Sequence, residues 1–177
     1  MIRKLRRFLH REDGFMAMEF AVLMPAMMLF LCFGIETGVL MARAAMFDRA
    51  VDIASRDLRL GTASPMSYDA FRDAICQRVA IIGDCHSTIQ VEVQPIQNVN
   101  LETFRGTEVC QNRSAPSLNP IMDTTYTPGA ANQMMIIRAC VNVESFFPGA
   151  AVLALIPRDA NDDFRLLSVN AFVHEPI

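Results

Sequence analysis

Residues 15–35 read FMAMEFAVLMPAMMLFLCFGI, a run of twenty-one in which Glu19 is the one charged side chain. As a helix rising ~1.5 Å per residue, this run is about 31 Å long, close to the hydrocarbon thickness of a bilayer. A core helix of that length carries a polar face, and this stretch has none, so it is expected to span a membrane. The preceding residues 1–14 hold Arg3, Lys4, Arg6, Arg7 and Arg11 against Glu12 and Asp13, a net +3. Such a basic head belongs on the cytoplasmic side, which puts the chain from about Glu36 onward on the other side. A secretory signal peptide begins in the same way, and Ala42-Arg43-Ala44 supplies a small-x-small triplet. The apolar run exceeds the usual length of about 7–15 residues, however, and the triplet lies well beyond it.

The rest of the composition narrows the class. Of 177 residues, 52% are hydrophobic, and the mean hydropathy is +0.25. With 8 Gly and 9 Pro, collagenous, low-complexity and wholly disordered chains are excluded. After residue 14 the chain holds 11 basic and 17 acidic residues, so an acidic body follows the basic head. No nucleic-acid partner is expected of such a surface.

Beyond the span the helical period continues and a polar face appears. Arg43, Asp48, Arg49, Asp52, Arg56, Asp57 and Arg59 interleave with Val39, Leu40, Met46, Phe47, Ala50, Val51, Ile53, Ala54 and Leu58. Gly61 is placed to end the helix. One long helix is therefore expected from about Phe15 to Leu60, apolar in its first half and amphipathic in its second. Pro25 lies inside it and removes a hydrogen bond, which predicts a kink or local melting. Gly34 and Gly38 stand four apart, a spacing that lets another helix approach closely.

Ser64-Pro65 predicts the start of a second helix running to about Ile81, with Phe71, Ile75 and Val79 on its inner face. Thr88–Val93 alternates as a half-buried strand, Met134–Glu144 is the strongest strand signal, and Phe164–His174 is a last strand. The region 95–133, rich in Asn, Pro, Ser and Thr, reads as a long surface connection with a possible short element at 101–109. Phe146-Phe147-Pro148-Gly149 and the apolar run 150–156 are too short for a second span and read as a turn with a short packed helix. Helices followed by separated strands predict an α+β fold: a long helix, a second helix and a small antiparallel sheet of about three strands. The chain then divides into a head at 1–14, a span at 15–36, an amphipathic extension at 37–62 and a globular part at 63–177.

At the junction of head and span stands Gly14-Phe15-Met16-Ala17-Met18-Glu19-Phe20. This stretch resembles the processing site of type IV prepilins. Pro25 in the span, the strong strand followed by Phe-Phe-Pro, and the ending Val169-Asn-Ala-Phe-Val-His-Glu-Pro176 extend the resemblance to the TadE-like family of Flp (tight adherence) pilus pseudopilins. The resemblance implies cleavage by a prepilin peptidase between Gly14 and Phe15, with Glu19 as the family's conspicuous glutamate. It further implies a single-pass protein of the bacterial inner membrane, with a periplasmic domain. Its expected partners are the prepilin peptidase, other pilins or pseudopilins, the inner-membrane assembly platform and membrane lipid. It implies a role as a minor pilin in building pili for adhesion and biofilm formation. On physical grounds alone, Glu19 either reaches back to the cytoplasmic headgroups or meets a partner inside the membrane, such as the α-amino group of Phe15 in a neighbouring subunit.

Of five cysteines, Cys32 falls in the span, and Cys76, Cys85, Cys110 and Cys140 fall in the exterior part. An even four outside the cytoplasm predicts two disulfides, with three connectivities open. Cys76–Cys85, closing a turn from helix to strand, with Cys110–Cys140, tying the long connection to the strongest strand, is the preferred pairing. A zinc site lacks any Cys-x-x-Cys pair. No nucleotide loop, nucleophile elbow or His-Glu-x-x-His is present, and His10, His86 and His174 stand isolated. Neither an enzymatic activity nor a cofactor is expected.

Overall fold

The structure, a computed structural model, describes residues 15–60, 67–96, 110, 126–127, 129–147 and 163–175. Gly14 and the rest of the head, Gly61, Ser64-Pro65, the element at 101–109 and the residues after Phe147 in the 145–157 turn lie outside the described residues. Helix α1 runs unbroken over Phe15–Arg59, 45 residues, about 67 Å at ~1.5 Å per residue. It continues through Pro25. Arg56 and Arg59 in its last turn complement the negative end of the helix dipole. Helices α2 (Tyr68–Cys76) and α3 (Cys85–Thr88) precede strand β1 (Gln90–Pro95), and strands β2 (Met134–Val143) and β3 (Phe164–Val173) follow. The sheet is antiparallel throughout, in the order β1-β2-β3. The architecture is α+β, as the sequence predicts.

Three boundaries differ from expectation, each for a local reason. α2 starts at Tyr68 because Ser67, in an extended conformation, caps it: its Oγ accepts the Ala70 N–H at 3.2 Å. It ends at Cys76 rather than near residue 81. Cys76 is bonded to Cys85 with Cα atoms 5.7 Å apart, whereas nine more residues of helix would separate them by about 13.5 Å. The chain instead makes successive tight turns, Val79 N–H to Cys76 O at 3.2 Å and Ile82 N–H to Val79 O at 3.1 Å, that still bury Val79 and Ile82. Thr88, expected to open the strand, closes α3 instead, with its Oγ1 donating to Asp84 O at 3.0 Å.

The core lies between the second half of α1 and the sheet. Phe47, Ala50, Val51, Ala54 and Leu58 recur at helical spacing and are all buried. They meet Phe71 and Ile75 of α2, Val91 and Val93 of β1, and alternate residues of β2 from Met135 to Val143. The small Ala50 and Ala54 let α1 approach the sheet closely. On the other face of the sheet, Glu92 and Arg138 stand directly opposite across β1 and β2 and form a buried ion pair at 2.7 Å. Cys140, on that same face, is bonded to Cys110. By loop closure alone the two bridges would contribute about 2.7 and 3.7 kcal/mol.

A fragment of the long connection adds to the edge of the sheet. Tyr126 bridges Val93, and Thr127 N–H donates to Val93 O at 2.8 Å. The Tyr126 ring meets Tyr68 edge-on with centroids 6.0 Å apart. Burial pushes the Tyr126 hydroxyl above its ordinary value of 10.0. The folded chain thus holds this proton more tightly than the unfolded chain. Stability is therefore full below pH 10 and declines as pH climbs from 10.0 through the raised value. Tyr126→Phe should flatten that part of an alkaline unfolding profile followed by circular dichroism, and an unchanged slope would rule out Tyr126 as its source.

Candidate functional site

Among the described residues, nothing covers the first half of α1. Phe20, Val22, Met27, Leu29 and Leu31 are exposed, and Phe30 is 77% exposed. No residue of the most apolar eighteen-residue window is buried. A core helix of a soluble fold would be packed along this stretch. The exposed apolar length is compatible with a single-pass membrane anchor. Glu19 sits on this bare portion and is itself exposed.

The two sides of α1 differ where the apolar run ends. At ~100° per residue, Glu36, Arg43, Phe47, Val51 and Ala54 share one side, and the globular part is laid against it. Gly34 and Gly38 fall on the opposite side. A methyl group at either would meet nothing among the described residues within 4 Å, apart from the backbone of its own helix. Cys32 is a free thiol on the same bare portion of the helix.

Glu36 is the feature that sequence reasoning did not single out. It is the first charged residue after the apolar run, yet it is only 3% exposed. Its Oε1 accepts the Phe146 N–H at 2.8 Å, and its Oε2 accepts the Phe147 N–H at 2.9 Å. Two turns further along the same side, Arg43 Nη1 donates to Glu144 O at 2.7 Å. The segment leaving β2 therefore runs along α1 toward its apolar half, held at Arg43 and then at Glu36. Hydrogen bonds to a carboxylate are about twice as strong as neutral ones, so this clasp fixes the globular part against the end of the apolar run. The partners are main-chain groups about a hundred residues away, which leave no pattern in the sequence. The one available signal was a lone Glu closing an apolar run.

At the far end of α1, Arg59 binds Glu175 at 2.6 Å, and Glu175 N–H donates to Arg59 O at 3.3 Å. An open groove of about 350 Å³ lies beside this contact, between Asp52, Ser55, Arg56 and Asn170. Asn170 Nδ2 already donates to Asp52 Oδ1 and Ser55 Oγ, each at 3.2 Å. The groove is a seam between α1 and β3. Cys76, Cys85, Cys110 and Cys140 occupy two separate places: Cys76 with Cys85 at the turn after α2, and Cys110 with Cys140 on the outer face of β2.

Residues 14–56 match the family model described as TadE-like protein. No curated protein and no solved structure matches the chain. The matched residues contain Gly14, Phe15, Glu19, Pro25, Gly34, Glu36, Gly38 and Arg43, and exclude the sheet. The part of the chain that holds the junction, the bare helix and the helix side of the clasp is thus the part similar to the TadE-like model, the family that the sequence resembles.

Proposed function

We propose that the chain is a minor pilin, or pseudopilin, of a Tad (Flp) type IV pilus. A prepilin peptidase cuts it between Gly14 and Phe15, and the released helix then packs against those of other pilins. The observation that carries this reading is the coincidence of the TadE-like match at residues 14–56 with a helix whose apolar half is uncovered. Gly34 and Gly38 support it, since they open the side of the helix that the chain's own domain leaves free. In this reading the chain is processed and assembled and performs no catalysis. The head stays in the cytoplasm of a bacterial cell, the globular part lies in the periplasm, and the two disulfides form there. The assembly platform of the inner membrane and membrane lipid are its remaining partners, and surface adhesion is the purpose of the pilus.

The test is the mass and N-terminal sequence of the membrane-extracted protein, produced with and without a prepilin peptidase. A start at Phe15 that depends on the peptidase is the expected result. A start at Met1 under both conditions would make the chain a permanent single-span anchor and overturn the proposal. A start at Ala45 would mean a secreted domain. Such a cut would discard Glu36 and Arg43 and leave Phe146 and Phe147 without their acceptor.

A further inference from the structure

The clasp carries a second consequence for the way the domain sits on its membrane. The geometry points to the Phe146–Phe147 tip as a lipid-contacting anchor, seated in the boundary of the leaflet from which the domain emerges. The inference rests on α1 being a membrane span.

Three observations lead to it. The tip is level with the end of the span, because Glu36 follows Ile35 directly and holds both of its amides. The chain reaches that level by descending α1 from Arg43, seven residues or about 10 Å further from the membrane. Phe146 is 57% exposed and packs edge-on against Phe147, with ring centroids 5.0 Å apart. An aromatic pair at this height continues the apolar surface of the span rather than facing water.

The hydrogen bonding supplies the decisive argument. Backbone that approaches lipid must have its N–H groups satisfied within the protein, because the apolar medium offers no partner. Phe146 and Phe147 donate their consecutive N–H groups to the two oxygens of one carboxylate. Glu36 thus satisfies the main-chain donors of the tip within the protein and leaves the exposed Phe146 ring, backed by the half-buried Phe147, to face outward. The same contact keeps Glu36 itself compensated at the membrane boundary, where an uncompensated carboxylate is costly. A second copy of the chain could cover the rings instead, and the test separates the two.

The chain contains no Trp, so each single Trp variant is a clean fluorescent reporter in the full-length protein reconstituted in phosphatidylcholine vesicles. Three variants are compared: Phe146→Trp at the tip, Phe30→Trp in the span and Val173→Trp at the far end of β3. Val173 is 45% exposed and lies about 30 Å along the strand from Phe164. With brominated phosphatidylcholine, Phe146→Trp emission should fall by about half or more, as expected of a ring buried ~5–10 Å into the headgroup region. Phe30→Trp should be quenched as well, and Val173→Trp should respond only to aqueous iodide. If Phe146→Trp responds to iodide and not to bromolipid while Phe30→Trp is quenched by bromolipid, the span stands and the anchor is overturned. If Phe146→Trp is shielded from both quenchers, the tip is covered by protein and the lipid contact is likewise overturned. If Phe30→Trp also escapes bromolipid, the span reading itself fails, and the anchor with it.

Discussion

Glu19→Ala should abolish pilus assembly while leaving cleavage between Gly14 and Phe15 intact. Glu19 is exposed on a bare apolar helix, where insertion of a carboxylate costs about 2.5–3.5 kcal/mol at mid-membrane depth. The α-amino group that cleavage creates on Phe15 of a neighbouring subunit would compensate this charge and set the axial register between the two helices. Removing one member of a desolvated pair costs about 3–5 kcal/mol, and each 1.4 kcal/mol is tenfold in a contact's equilibrium constant. A loss of that size, repeated at every contact the subunit makes, leaves no assembly. Glu19→Gln keeps the shape and removes the charge, so it should fail like Ala. Sheared pili quantified by immunoblot, together with the N-terminal mass of the membrane fraction, give both readouts. Pili at normal levels in Glu19→Ala would show that Glu19 only reaches back to the headgroups.

The second large effect is expected at the clasp. Glu36→Ala removes the acceptor of two amides that no other group in the described residues serves, at a cost of about 3 kcal/mol. The loss should appear as ~100-fold weaker protection of the Phe146 and Phe147 amides from hydrogen exchange. The β2 amides should change less, because they belong to the ladder with β1 and β3. Glu36→Gln has one amide oxygen for two donors and should fall between the wild type and Ala. If the two amides exchange equally in Glu36→Ala and in the wild type, the clasp contributes nothing to holding the segment.

The parts of this fold that the sequence discloses are those governed by a short period. α1 is readable from Phe15 to Arg59 because an unbroken apolar run passes into a 3.6-residue repeat. β2 is readable because its alternate residues from Met135 to Val143 are apolar, whereas the buried side of β3 mixes Phe164, Leu166 and Phe172 with Ser168 and so carries a weaker period. α2 is shorter than its sequence pattern predicts because Phe71, Ile75 and Val79 keep helical spacing after the chain has left the helix. A bond from Cys76 to Cys85 overrides that spacing, and no local pattern records it. Glu36 was invisible as a functional residue for a different reason. Its partners are main-chain donors, which every residue but proline carries, so composition marks neither end of the contact.

The side of α1 that becomes core is synthesised long before what covers it. Asn170 of β3 lies 115 positions after its partner Ser55. At ~5–20 residues per second the ribosome needs roughly 6–23 s to close that gap. Throughout this interval Phe47, Val51 and Leu58 are made but the strand that completes their cover is not. The nascent chain therefore carries an uncovered apolar helix side for seconds. Its safety depends on a chaperone or another surface holding that side until β3 arrives.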